Sequence, residues 1–183
     1  MAYRTFEELS AQVELLRAAP TGVGTLELLV RRPANAERDV LDEGVLDEAE
    51  GLIGDNWLSR ATSRAIAEGR HLKAQLTVMS ARMVGLLADT DEERALAGDQ
   101  LYLDLDLSHA NLPTGTRIAI GEQTVIEVTD KPHNGCAKFV RRFGEEAAAF
   151  VNSEVGKELR LRGLNARVVT GGTIRPGDKV RRL

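Results

Sequence analysis

Cysteine occurs once in this chain, so no internal disulfide can form and no set of thiolates can cage a metal. Aromatic residues are scarce, at 4%. The core must therefore come from Leu, Val, Ile and Ala, and few rings are left on which bases could stack. Apolar runs stay well short of the ~20 residues of a membrane-spanning helix. The opening stretch, Met1-Ala2-Tyr3-Arg4-Thr5-Phe6-Glu7-Glu8, carries acids where a signal peptide has its apolar segment. Together these absences predict a cytoplasmic protein with neither a membrane nor a nucleic-acid partner. Nucleotide fingerprints are missing as well. There is no P-loop, and Gly22-Val23-Gly24 lacks a third glycine and follows an acidic helical segment where a strand is needed. The three histidines, His71, His109 and His133, are too scattered to suggest zinc binding with the cysteine.

The 183 residues suit one domain with a short appendage. A formal net charge of −4 hides an asymmetry: residues 131–183 carry 12 Lys and Arg against 5 Asp and Glu, while residues 1–130 carry 12 against 23. The basic end holds the cysteine, in the segment Thr129-Asp130-Lys131-Pro132-His133-Asn134-Gly135-Cys136-Ala137-Lys138-Phe139. A Pro/Asn/Gly-rich loop runs into a helical pattern here, which places Cys136 at a helix N-terminus. There the free N–H groups and the positive dipole end favour thiolate over thiol. Lys138, Arg141 and Arg142 push the same way. A basic surface beside a thiol suits a small anionic ligand, such as a phosphate-bearing cofactor. The competing readings are an inert, buried thiol and, more remotely, a Cys–His hydrolase. His133, three residues away across a turn, is not a known dyad spacing for the latter.

Elsewhere the pattern is of short strands. Thr5 and Glu8 form a capping box for a helix that ends at Pro20, with Phe6, Leu9, Val13 and Leu16 on one face. Gly24–Val30 reads as a strand, and residues 34–56 as a long acidic loop. Gln75–Met79 reads as a strand and Ala81–Ala88 as a helix. Leu101–Leu107 alternates strictly and is the clearest strand. Hairpins are expected over 116–129 and over 165–174, the second turning at Gly171-Gly172, with a last strand at Lys179–Leu183. After Cys136, Phe139, Phe143, Ala147 and Val151 share a helical face with Gly144 as a weak point. A further short helix spans Glu154–Leu161. The pairs Gly54-Asp55, Gly98-Asp99 and Gly177-Asp178 read as turns before strands. The predicted class is mainly β with peripheral helices (α+β): a helical appendage over 1–22 and a β-barrel domain over 23–183.

Several segments, in order, resemble the MOSC family, named for the C-terminal domain of molybdenum cofactor sulfurase. They are Arg31-Arg32-Pro33, Gly51-Leu52-Ile53-Gly54-Asp55, Gly98-Asp99-Gln100-Leu101, Leu107-Ser108 with Asn111-Leu112-Pro113-Thr114-Gly115, Ile120-Gly121, and Ile126-Glu127-Val128-Thr129. Pro132 to Phe139, Arg162 to Val168 and Gly171 to Val180 complete the set. The resemblance covers residues 23–183 and implies a barrel-like fold. It also implies that Cys136 carries sulfur as a persulfide or ligates molybdenum of a pterin cofactor. Arg31, Arg32, His133, Asn134, Lys138, Arg162 and Arg167 are the accompanying candidates for binding that cofactor. The chain resembles a stand-alone, bacterial-type member. No pyridoxal-phosphate site is identifiable in it, and His133-Asn134-Gly135-Cys136 departs from the Arg-Asn-Pro-Cys-like loop of the amidoxime-reducing branch. Three roles follow: a sulfur carrier or molybdenum-cofactor binder, with a sulfur donor as partner; a molybdenum-dependent reductase of N-hydroxylated compounds, with a separate electron-transfer protein; or a non-catalytic binding module.

Overall fold

The structure is a computed structural model and describes residues 3–183. Thr5 and Glu8 exchange the two bonds of a capping box and start α1 (Phe6–Ser10). The helix expected to run on to Pro20 is broken. Gln12 N–H closes on Leu9 C=O, a tighter turn than the α-helical one, and α2 (Val13–Arg17) follows. Leu9 and Leu16 are buried, in the same apolar cluster as the phenylalanines that follow Cys136.

β1 (Val23–Arg31) opens the barrel. Residues 34–56, expected as a loop, contain β2 (Asp39–Val40), β3 (Gly44–Asp47) and β4 (Gly51–Leu52). These are too short to show a period in sequence, and Leu46 and Leu52 are the side chains that anchor them in the core. A short α3 (Ser63–Ala67) precedes β5 (Leu76–Ser80). The chain then crosses through α4 (Ala81–Leu87) and α5 (Asp91–Ala95) to β6 (Leu101–Asp104), which lies parallel to β5. β7 (Arg117–Ile120) and β8 (Thr124–Val128) form the first expected hairpin. Next come α6 (Ala137–Val151), α7 (Glu154–Glu158), β9 (Leu164–Thr170), β10 (Gly172–Ile174) and β11 (Lys179–Arg182).

Seven strands close on themselves in the order β11-β7-β8-β9-β5-β6-β1, with β1 and β11 paired antiparallel to shut the barrel. The second expected hairpin does not form. β9 already has β8 on one edge and β5 on the other, so β10 pairs instead with β3 in a separate three-stranded sheet. Nor does β6 reach Leu107: it leaves the ladder after Asp104, and Asp106 N–H bonds Pro20 C=O. Leu105 and Leu107 remain buried all the same.

Two apolar clusters explain the architecture. Leu26, Val78, Leu101, Leu103, Ile118, Ile126, Ala166 and Val180 fill the barrel interior. Leu28, Met79 and Tyr102 point the other way, from the same strands β1, β5 and β6, into a second cluster under α4 and α6. That wall is therefore buried on both faces. Phe139, Phe143 and Phe150 are what α6 contributes to that second cluster, each worth roughly 1.5–3 kcal/mol of burial. They hold α6, and with it the loop carrying Cys136, against the barrel.

Candidate functional site

The turn from α5 into β6 organises this end of the molecule. Its carbonyls and one carboxylate hold basic side chains from four other segments. Leu96 C=O accepts from Arg142 Nη1 at 2.6 Å, Ala97 C=O from Arg162 Nη2 at 3.1 Å, and Gly98 C=O from Arg32 Nη1 at 3.0 Å. Gly98 is favoured here by its backbone angle, and the space around it is tight. Its φ is +88°, and an added Cβ would stand 3.2 Å from both Arg142 Nη1 and Arg38 Nη2.

Asp99 follows, with its side chain fully buried. One carboxylate oxygen accepts from Arg162 Nη1 at 2.6 Å and the other from His133 Nε2 at 2.6 Å. Burial opposes its ionisation, but the Arg162 and His133 contacts prevail and hold its carboxyl down at about 2. Arg162 is itself buried and stacks over the Phe139 ring, its Cζ 5.1 Å from the centroid. Asp99 thus ties β9's entry, the cysteine loop and the first turn of α6 into one unit.

Two asparagines fix the rest of that loop. Asn165 Nδ2 donates to the carbonyls of Lys131 and Pro132, at 3.0 and 3.2 Å. Asn152 clamps Gly135 from both sides, accepting from its N–H at 3.0 Å and donating to its C=O at 3.2 Å. A side chain on Gly135 would collide with Asn152 at 2.8 Å. Cys136 then stands as N-cap of α6 with extended backbone, and its thiol is exposed. Desolvation resists ionisation of this thiol. The backbone N–H groups of Phe139 and Lys138, with the charges of Arg162 and Lys138, outweigh it and set the thiol below its ordinary value.

Two cavities of about 340 Å³ each lie around the loop. The first takes in His133, Asn134 and Arg162 together with Arg160 and His109. The second, along α6, is lined by Arg32, Arg38, Arg60, Lys138, Arg141 and Arg142 and contains no carboxylate. Of the residues singled out in sequence, Cys136, His133, Asn134, Lys138 and Arg162 come together on and around one loop. Arg32 reaches the basic cavity but is held by Asp55, with Nε and Nη2 each 2.8 Å from a carboxylate oxygen. Arg31 and Arg167 line neither cavity. Arg31 pairs with Asp39 at 2.8 Å, and Arg167 pairs with Glu127 at 2.7 Å on the exposed side of β9. Asp99, Asn152 and Arg38 were not singled out as site residues. Gly98-Asp99 has the sequence of an ordinary turn, and Asn152 and Arg38 lie in helical and loop stretches that no local pattern marks.

Among the described residues no three His, Cys, Asp or Glu side chains are grouped to hold a metal ion, and no helix is long and apolar enough to cross a membrane. No curated protein matches the chain in sequence. Solved structures do match in fold. YuaD from Bacillus subtilis is 17% identical, with 86% of this chain and 94% of that one covered and a TM-score of 0.57. YiiM from Geobacillus stearothermophilus is 13% identical, with 88% and 75% covered and a TM-score of 0.57. YiiM from Escherichia coli is 19% identical, with 87% and 69% covered and a TM-score of 0.53. The family model described as MOSC domain matches residues 72–181, a span that runs from the strand before the crossover, through the Asp99 turn and the cysteine loop, to the closing strand. By that match, and with the closed mixed barrel to accompany it, the chain belongs to the MOSC domain family.

Proposed function

We propose that this chain handles sulfur or molybdenum cofactor through Cys136. MOSC domains are associated with that cofactor. The observation that carries the reading is the state of the thiol: exposed, at the start of α6, and acidified by two backbone N–H groups and two cations. A low-pKa, accessible thiolate is the form that attacks sulfane sulfur and that ligates soft metals.

In the sulfur branch the Cys136 thiolate attacks the outer sulfur of a donor persulfide. A new S–S bond forms on Cys136 as the donor's S–S bond breaks, and the donor leaves as thiolate. The sulfur moves without net oxidation or reduction, and a partner protein or small molecule must present it. In the cofactor branch a bare metal ion has no cage here among the described residues. Were molybdenum cofactor bound, Cys136 would be the residue to offer it a thiolate ligand. The cofactor, when bound, supplies a thiophilic metal able to exchange oxygen, sulfur and electrons. The chain's residues orient and acidify the thiol. Asp99 holds His133 and Arg162, Arg162 lends charge to Cys136, and Asn152 fixes the residue before it.

The test is Cys136→Ser, which keeps side-chain shape and removes the soft nucleophile. Wild type and variant from the same molybdenum-competent host are assayed for cyanolysable sulfur and bound molybdenum. The expected result is that one or both are present in wild type and lost in the variant. Equal amounts in the two proteins, or none in wild type after exposure to a persulfide donor and free cofactor, would overturn the reading.

A further inference from the structure

α6 returns on itself. An unbroken helix from Gly135 to Asn152 would hold the two ~25 Å apart, at ~1.5 Å of rise per residue. Yet Asn152 accepts from Gly135 N–H at 3.0 Å and donates to its C=O at 3.2 Å. The halves on either side of Gly144 therefore form a helical hairpin, with Gly144 at its apex and Cys136 and Asn152 at its open end. The first half is anchored by Arg142 on Leu96 C=O and by Arg162 over the Phe139 ring. The loop is anchored as far as His133, by Asn165 and Asp99. The peptide just before the cysteine is held differently: the bonds on Gly135 go to Asn152, at the end of the second half.

The N-terminal segment lies on that second half. The Tyr3 ring sits over Gly144, where a Cβ would meet it at 3.3 Å. Phe6 N–H donates to Glu146 Oε2 at 2.6 Å, and the Phe6 ring meets Phe150 edge-on, with centroids 5.6 Å apart at 85°. The segment is held unevenly along its length. Its α2 end is fixed by Arg82 on Leu15 C=O at 3.0 Å and by the Arg17–Glu158 pair at 2.8 Å. In α1 only Leu9 is buried, and a cavity of about 350 Å³ bordered by Leu9, Gln12 and Leu86 undercuts it. The helical run breaks at Gln12, between the two parts. An element with so little buried apolar contact is among the first to open in a folded chain.

We propose that α1 is a strap over the helical hairpin. Seated, it holds the second half and, through Asn152, the peptide that carries Cys136; lifted about Gln12, it frees that part of the loop. That a freed loop presents its thiol to a donor or acceptor rests on the function proposed above; the coupling of strap to loop does not.

The test is hydrogen exchange of the full chain, read by mass spectrometry on peptides covering residues 133–140. Phe6→Ala removes the ring contact with Phe150 and should speed exchange there about fivefold, the loss of one aromatic pair. Asn152→Ala should speed the same amides directly. In the Asn152→Ala background, Phe6→Ala should add nothing, because the effect travels through the clamp. Ile120→Val, a truncation inside the barrel, is the control for general loss of stability: at a comparable fall in melting temperature it should leave these amides as in wild type. None of these readings needs sulfur or molybdenum to be bound, so a failed Cys136 assay is separable from a failed strap. Faster exchange confined to residues 3–10 in Phe6→Ala, equal speeding in Ile120→Val, or full additivity in the double variant would overturn the proposal.

Discussion

Asp99 shows how one buried charge can organise a site without touching its reactive atom. Its carboxylate is dry, yet it is ionised at neutral pH because Arg162 and His133 bind it from either side. The energetic consequence has a definite sign. The folded carboxyl titrates at about 2 against an ordinary 3.8, so the stabilisation is complete above pH ~4 and disappears as pH falls through ~2. That gap corresponds to about 2 kcal/mol. Asp99→Asn leaves the Arg162 charge buried and unanswered, and should cost roughly 3–5 kcal/mol at pH 7. Urea unfolding of both proteins from pH 7 down to pH 2 is the measurement. The gap between them should narrow below pH ~4, and a gap that is constant with pH would contradict the assignment. In sequence, nothing separates this residue from Asp178, another Gly-Asp turn. Asp178 simply accepts its own turn's Arg175 N–H at 2.8 Å. The partners of Asp99 lie 34 and 63 residues away, and only the fold brings them in.

α6 is two helical halves joined at Gly144, whose φ of 89° and ψ of 167° lie outside the helical region. The weak point was legible, because glycine sits inside an otherwise regular apolar spacing. Legible too were the capping box, the alternation of Leu101 to Leu107 and the hairpin of β7 and β8, since each is a local signal of period or turn chemistry. What escaped was everything set by distant pairing. β10 chooses β3 because both edges of β9 are taken, and β6 gives up its ladder while its leucines stay inside. The same division holds for the site. Cys136 and its basic helix are contiguous in sequence and were readable, whereas the clamp of Asn152 on Gly135 crosses 17 residues. Gly144→Ala tests the kink. Such backbone geometry is essentially closed to residues with a Cβ, and the added methyl would meet the Tyr3 ring at 3.3 Å. A loss of roughly 1–3 kcal/mol is expected in thermal or chemical unfolding, and no measurable loss would mean that the two halves join in some other way.

The molecule as a whole depends on closure between β1 and β11. Val180 is fully buried at that seam, opposite Gly24 on one side and Ile120 on the other. Gly24 must lack a side chain, because a Cβ there would stand 2.0 Å from Asp104 C=O. Val180→Asp should therefore cost more than about 4 kcal/mol, the range associated with an unpaired charge in a core. Arg181→Asp, on the same strand but facing solvent, should change stability by no more than ~0.5 kcal/mol. Circular dichroism melts of the two variants distinguish a seam on which the barrel depends from an ornamental one: similar melts would mean the seam contributes little.

That seam has a consequence in time. Its two strands enclose every other strand of the chain between them, so the ladder that shuts the barrel can form only after all of those have been made. During synthesis the earlier segments emerge with β1 lacking its final neighbour, and an open strand edge is a template for unwanted pairing. The nascent chain should thus be most prone to aggregation just before β11 appears, and folding should finish in a late, slow step governed by its longest-range contact.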